Sequence, residues 1–219
     1  MKILLGYILT FGWVFLMLGV TQVLKTRWKL QDETSRKIIH VGVAFAWIPM
    51  YLCFGASIHL AIPTAVFIVL NAISYQKDLF SAMERSDSSR KSLGTVYYAV
   101  SMTVMAIWSW RIPECVTAYG VAVFCMALGD GFAPYFGSIR RGNRKLFGNR
   151  TLYGSISIFV ICLLVVVIMT AIFHLPLTFP EMLTIAAAAV LFELVGVRGY
   201  DNLTLPLGVF LLTFFFIKT

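Results

Sequence analysis

Long apolar runs recur along the whole chain, and this feature limits the fold more than any other. A helix needs roughly 20 mostly apolar residues, or about 17 at the short end, to cross the hydrocarbon core of a bilayer. Eight runs in the 219-residue chain approach or reach that length. They are residues 3–24, 38–54, 58–75, 95–110, 116–136, 152–173, 182–197 and 203–217. Because the last two are short, we expect a polytopic all-α membrane bundle of seven or eight spans, with residues 1–219 forming a single integral membrane domain.

The composition excludes most water-soluble folds. Hydrophobic residues make up 59% of the chain and charged residues only 13%, whereas a soluble domain is nearer half apolar and a quarter charged. The four cysteines include no C-x-x-C pair, which argues against a thiolate metal site and a disulfide framework. The net charge of +8 is explained by basic loops beside membrane spans, so we expect no nucleic-acid partner.

The basic residues fall in alternate loops. If there are eight spans, 15 of the 18 Lys and Arg residues lie on one side of the membrane, mainly in or beside the loops 26–37, 76–93 and 138–150. Lys and Arg accumulate on the cytoplasmic side of membrane proteins. We therefore predict that these loops face the cytoplasm and that the N-terminus lies outside.

Two carboxylates, Asp130 and Glu193, lie well inside predicted spans. Ionisable groups are costly in a bilayer and usually mark a site or an internal ion pair. Both residues come late in spans that run from outside to inside, so we expect them near the cytoplasmic end of the bundle. Four further polar residues are expected on that side: Lys37, His40, Asp201 and Asn202.

Carboxylates close to many cations suit a polyphosphate that carries a divalent metal ion. Carboxylates hold Mg²⁺, while basic side chains and backbone N–H groups hold phosphate oxygens. Asp130 stands between two glycines, which lets the backbone approach a ligand closely, and the following loop 137–150 is Gly-rich and strongly basic. Neither G-x-x-x-x-G-K-[ST] nor G-x-G-x-x-G occurs. The residues alone therefore predict a cytosol-facing membrane site for a phosphate-bearing ligand.

Four segments together resemble the family of CTP-dependent lipid-alcohol kinases, which includes dolichol kinase, phytol kinase and the CTP-using diacylglycerol kinase. Residues 36–40 are similar to the family's R-K-x-x-H, and residues 93–98 are similar to its G-T-x-Y-Y. Residues 129–137 and 148–155 are similar to G-D-x-x-A-x-x-x-G followed by G-K-[ST]-x-E-G-S. Glu193 with residues 201–206 is similar to E…D-N-x-x-x-P. The segments follow the family order from residue 36 to residue 206.

The resemblance implies a function and roles for individual residues. The protein would transfer the γ-phosphoryl group of CTP to the hydroxyl group of a membrane lipid alcohol. Asp130 and Asp201 would hold Mg²⁺, and either His40 or Glu193 would take the hydroxyl proton. The nucleotide would be bound by a larger set: Lys37, Gly94, Thr95, Gly137, Gly148, Arg150, Thr151, Gly154, Ser155 and Asn202. The acceptor stays open between a prenol such as phytol or geranylgeraniol, a polyprenol such as dolichol, and diacylglycerol.

The chain departs from the family pattern at two positions. Arg150 stands where the family usually has Lys, and Tyr153 stands where it usually has Glu. Arginine keeps a cation that can hold phosphate, although with a different geometry. No role is carried over to Tyr153.

The same residues also fit two different functions and several structural roles. A phosphatidate cytidylyltransferase-like CDP-lipid synthase shares a G-K-T-x-E-G element, but its P-G-H-G-G-x-x-D-R segment is not matched by residues 198–202. A cation-coupled transporter would place polar groups at mid-bilayer and contain repeats. Asp130 could instead pair with an intramembrane cation, Asp201 and Asn202 could cap a helix, and Lys37 could reach the membrane surface as an anchor.

Overall fold

The computed structural model describes residues 1–77, 93–138, 144–146, 150–196 and 199–219. In these ranges every regular element is a helix, apart from one isolated antiparallel bridge between Lys145 and Thr151. The all-α prediction is therefore confirmed for the described residues. Most of the predicted loops 76–93 and 138–150, together with Gly148 in the second of them, lies outside these ranges.

The helices form two compact units, and the first is Met1–Pro113. It contains α1 (Lys2–Trp28), α2 (Asp32–Ala44), α3 (Trp47–Phe54), a 3₁₀ turn (Ile58–Leu60), α4 (Ala61–Lys77) and α5 (Gly94–Arg111). α1 packs against α2 and α3, and α4 packs against α5.

Helices α1 and α2 form an antiparallel hairpin. Lys29 ends α1 in the left-handed conformation, with φ of 50°. Lys25 Nζ then lies 2.8 Å from Asp32 Oδ1 across the turn. Further along, Trp13 donates its indole N–H to the carbonyl of Gly42 at 2.8 Å. These contacts fix the register, so the start of α2 lies beside the end of α1.

The second unit, Glu114–Thr219, contains four helices. They are α6 (Cys115–Ser138), α7 (Leu152–Phe173), α8 (Phe179–Val195) and α9 (Asp201–Lys218). α6 packs against α7 and α9, and α8 packs against the same two helices. Every residue from 118 to 127 is buried, so α6 is the central helix of the unit.

Small residues bring α6 and α7 close together in an antiparallel register. A Cβ atom on Gly137 would lie 2.7 Å from Thr151 Oγ1, and one on Gly129 would lie 3.1 Å from Cys162 Sγ. Close approach over small residues is a common way for membrane helices to associate without a hydrophobic driving force. The C-terminal end of α6 therefore lies beside the N-terminal end of α7.

Six helices in the described ranges are long and apolar enough to cross a membrane: Lys2–Trp28, Asp32–Phe54, Ile58–Lys77, Cys115–Ser138, Leu152–Phe173 and Asp201–Lys218. The second of these combines α2 and α3. The remaining predicted spans, 95–110 and 182–197, coincide with α5 and the 17-residue α8, which are not among the six. Seven or eight spans, the outside N-terminus and the single domain stay predictions.

Candidate active site

Arg150 precedes α7, and its side chain contacts the end of α8 and the start of α9 at one end of the second unit. Its Nη1 atom lies 2.7 Å from Glu193 Oε1, and its Nη2 atom lies 3.3 Å from Asp201 Oδ2. Nη2 also donates to the backbone carbonyl of Glu193 at 2.9 Å and to that of Gly196. One guanidinium group thus neutralises two carboxylates and satisfies carbonyls at the C-terminal end of α8. We call Arg150, Glu193 and Asp201 the Arg150 cluster.

The chain around Arg150 is held by backbone pairing. Leu146 N–H donates to the Arg150 carbonyl, and Leu152 N–H donates to the Arg144 carbonyl, both at 2.9 Å. Thr151 then caps α7, because its side-chain oxygen accepts from Gly154 N–H at 3.3 Å. An N-cap of this type satisfies one of the free N–H groups at the start of a helix. Arg150 is therefore fixed by its backbone pairing with Leu146 and by the capped helix that follows it.

Asp130 is buried in α6, with 8% of the residue exposed. It precedes Gly137 by seven residues, which is about 10 Å along a helix axis, and Gly137 lies against Thr151. Asp130 is therefore roughly two turns deeper in the unit than Thr151. The structure places it and the Arg150 cluster towards the same end of the second unit, at different depths.

Two further predicted residues carry buried polar atoms that have no hydrogen-bond partner in the described part of the chain: Ser155 Oγ and Asn202 Oδ1. Ser155 lies in the first turn of α7, and Asn202 lies in the first turn of α9 beside Asp201. The Asn202 backbone N–H donates to Asp201 Oδ1 at 3.1 Å. Since buried polar atoms are normally satisfied, both oxygen atoms are candidates for contact with a ligand.

Exposed cations lie next to the cluster. Arg144 and Lys145 are exposed, and the bridge between Lys145 and Thr151 holds them beside the start of α7. Positive side chains at the N-terminal end of a helix add to the field of its free N–H groups, which attract phosphate. Arg140 and Arg141, in the same predicted basic loop, lie outside the described residues.

The other predicted site residues belong to the first unit. Lys37 and His40 are half-buried and lie one turn apart on α2. Gly94 begins α5, and the carbonyl of Thr95 accepts a hydrogen bond from Asn71 Nδ2 at 2.9 Å. The expectation that these residues share one end of a bundle with Asp130 stays a prediction.

The first unit also contains a cavity that is partly open to the exterior. Most of the lining is apolar. Polar residues meet where α2, α4 and α5 approach one another: Arg36, His40, Asn71, Thr95 and Tyr98. The rings of His40 and Tyr98 lie with their centres 4.4 Å apart. The Tyr98 hydroxyl oxygen is buried and has no hydrogen-bond partner among the described residues.

The chain is similar to one characterised kind of membrane enzyme. It is 29% identical over 190 residues to the phytol kinase of Synechocystis sp., and the match covers 80% of this chain and 76% of the relative. This match supports membership in the lipid-alcohol kinase family. No protein-family model and no solved structure matches the chain significantly.

The match to a phytol kinase supports the family resemblance that the motifs predicted. The six long apolar helices fit a protein that resides in a membrane. The described residues contain no group of three or more His, Cys, Asp or Glu side chains able to hold a metal ion. In general, Mg²⁺ that arrives with a nucleotide is held by one or two carboxylates together with phosphate oxygens and water, and it does not require such a group.

Sequence reasoning missed two residues that line the cavity. Asn71 is an amide inside the predicted span 58–75, and Tyr98 ends the segment that resembles G-T-x-Y-Y. A polar group within an apolar run is itself a signal of a site. Asp130 and Glu193 were predicted as site residues because they are charged residues within apolar runs, whereas the uncharged Asn71 and Tyr98 were not.

Proposed function

We propose that the protein transfers the γ-phosphoryl group of CTP, with Mg²⁺, to the hydroxyl group of a membrane lipid alcohol at a cytoplasm-facing site. The similarity to a phytol kinase over 80% of the chain carries this proposal. The buried Asp130, the Arg150 cluster and the exposed cations Arg144 and Lys145 support it.

Phosphoryl transfer depends mainly on positioning and on charge stabilisation. Bound Mg²⁺ would neutralise negative charge on the triphosphate, and Asp130 is the residue best suited to hold it because its carboxylate is buried between two small residues. The cations Arg144 and Lys145 would attract the phosphates. Ser155 Oγ and Asn202 Oδ1 offer polar contacts that the described protein leaves unused. Thr151 and Gly154 would keep α7 in place against Gly137.

The ion pair between Arg150 and Glu193 bears on the choice between the two candidate bases, Glu193 and His40. Glu193 Oε1 lies 2.7 Å from Arg150 Nη1, so a proton on this carboxylate would break an ion pair. His40 lies on the cavity of the first unit beside Tyr98. We therefore assign Glu193 and Arg150 to holding the ends of α7, α8 and α9 together. This leaves His40 as the candidate for taking up the hydroxyl proton.

The experiment is a product assay with purified protein in detergent or lipid. The protein is incubated with Mg²⁺, with CTP or ATP, and with phytol, geranylgeraniol, dolichol or diacylglycerol in separate reactions. We expect CTP to give a lipid monophosphate and CDP. Formation of a CDP-lipid and pyrophosphate would replace this proposal by the cytidylyltransferase function, and absence of any phosphorylated lipid would overturn it.

A further inference from the structure

Arg36 lies on the wall of the cavity in the Met1–Pro113 unit. Arg36, Ile39, His40 and Val43 follow one another at intervals of three or four residues along α2, so they share one face of the helix. All four residues line the cavity. This face is therefore the inner face of α2, and the half-buried Arg36 belongs to it.

Arg36 has no counter-charge in the described part of the chain. It makes no hydrogen bond and no ion pair there, and the described lining of the cavity includes no Asp or Glu. The half-buried Lys25 differs in this respect, because it lies 2.8 Å from Asp32. A partly desolvated cation without a counter-charge is costly, and in membrane proteins such a residue is a sign of a binding site.

The groups near Arg36 bring no negative charge. His40 follows one turn later on α2, and its ring centre lies 4.4 Å from that of Tyr98. Asn71 Nδ2 donates to the Thr95 carbonyl at 2.9 Å, which closes the same end of the cavity between α4 and α5. Most of the remaining lining is apolar. Because charges interact more strongly in such surroundings than in water, the guanidinium group there favours an anion.

The chemistry of arginine narrows the choice of anion. A guanidinium group binds phosphate and carboxylate groups through two parallel N–H···O bonds. Phosphate is the one of these two that a lipid-alcohol kinase handles, on the nucleotide and on the phosphorylated lipid. A phosphate group would supply the negative charge that the described lining lacks.

We propose that the end of the cavity at Arg36 is a phosphate-binding site and that Arg36 supplies its positive charge. The choice of phosphate over carboxylate rests on the proposed function. The site adds a phosphate-binding residue in the first unit, at a position to which the motifs gave no role. The phosphate belongs either to the nucleotide or to the lipid monophosphate, and the probes described next distinguish these two sources.

The site is tested by the binding of phosphate-bearing molecules and of their phosphate-free counterparts. The lipid pair is phytyl monophosphate and phytol, and the nucleotide pair is CTP and cytidine. Affinities for purified protein in nonionic detergent are measured from ligand-dependent thermal stabilisation. Mg²⁺ is left out, so that no metal ion contributes to the binding. Because the members of each pair differ only in phosphate, the ratio of their affinities reports the phosphate contribution.

Arg36→Gln removes the charge and keeps a polar side chain. We expect this variant to bind phytyl monophosphate or CTP roughly 10- to 150-fold more weakly, the range that hydrogen bonds to a charged group supply. Phytol and cytidine should bind as they do to the wild type. Arg36→Lys keeps the charge without the two parallel N–H bonds, so the loss should be smaller. A loss confined to phytyl monophosphate assigns the site to the lipid, and a loss confined to CTP assigns it to the nucleotide.

Arg27→Gln is the matched control. It changes the net charge by the same amount, and Arg27 is an exposed residue in the last turn of α1. We expect it to leave all four affinities unchanged. An equal loss in Arg27→Gln and Arg36→Gln would overturn the inference, because it would reflect net charge alone. Unchanged affinity of Arg36→Gln for both phosphate-bearing probes, or no binding of either probe to the wild type, would also overturn it.

Ligand-free melting provides a second readout on Arg36. A cation without an internal partner contributes no ion pair, so Arg36→Gln should melt at or above the wild-type temperature. A clear fall in the melting temperature, or failure of Arg36→Gln to fold, would indicate an internal counter-charge and overturn the inference.

The outcomes separate this inference from the proposed function. Wild-type kinase activity together with phosphate binding that ignores Arg36 would refute the site and leave the kinase function standing. Phosphate binding that depends on Arg36, without phosphoryl transfer from any nucleotide, would refute the kinase function and leave the phosphate site standing.

Discussion

Arg150→Ala should destabilise the protein strongly, because it removes the cation that serves two carboxylates. The side chain of Glu193 is only 4% exposed and lies 2.7 Å from Arg150. Without Arg150 this carboxylate stays buried and loses the cation that lies 2.7 Å from it. The Asp201 side chain, at 15% exposure and 3.3 Å, is better hydrated and contributes less.

The size of the effect follows from the burial of Glu193. Removing one partner of a buried ion pair costs about 3–5 kcal/mol, whereas an exposed pair is worth about 0–1 kcal/mol. For a chain of this length, each kcal/mol corresponds to about 2–4 °C in the melting temperature. We therefore expect Arg150→Ala to lower the apparent melting temperature by roughly 6–20 °C.

The assay is thermal unfolding of purified protein without ligands. Arg144→Ala is the matched control, because Arg144 is an exposed arginine of the same loop, and it should change the melting temperature by about 2 °C or less. The double variant Arg150→Ala/Glu193→Gln should be more stable than Arg150→Ala, since it also removes the buried charge that has lost its cation. Equal melting of Arg150→Ala and Arg144→Ala, or a double variant that gains nothing, would refute the stabilising role of this ion pair.

Three further predictions concern the proposed site and its topology. Asp130→Asn should abolish lipid-alcohol phosphorylation and stabilisation by Mg²⁺-CTP while leaving ligand-free melting unchanged, since Asn keeps the size of the side chain and loses the charge that holds Mg²⁺; a stable variant with near wild-type turnover would contradict this role. Ser138→Cys should resist a membrane-impermeant thiol reagent added outside intact cells, because basic loops face the cytoplasm, and ready labelling would contradict that topology. CTP should support faster turnover than ATP at equal concentration, and equal or faster turnover with ATP would count against CTP as the donor.

The helices were largely predictable because membrane spans leave a strong signal in the sequence. The predicted span 152–173 coincides with α7, Leu152–Phe173. The predicted span 38–54 misses six residues of α2, which begins at Asp32. Asp32 and Glu33 are polar and favour the N-terminal turn of a helix, so a search for apolar runs excludes them although they are helical.

The residue types of the candidate site were predictable, but their partners were not. The sequence predicted separate roles for the three residues: Arg150 at phosphate, Glu193 as one of two candidates for proton transfer, and Asp201 at the metal. Their ion pairs arise because the start of α7 meets the end of α8 and the start of α9, and this depends on helix packing across more than 40 residues. The cavity beside Tyr98 also depends on the packing of distant segments, since its walls come from α1 to α5.

The central claim is the transfer of a terminal phosphoryl group to a lipid alcohol. The most direct measurement follows the label from CTP that carries radioactive phosphorus in either the γ or the α position, with phytol, Mg²⁺ and purified protein. We predict that only the γ label enters the lipid, as a monophosphate, and that the α label stays in CDP. Appearance of the α label in the lipid, or of neither label, would contradict this transfer.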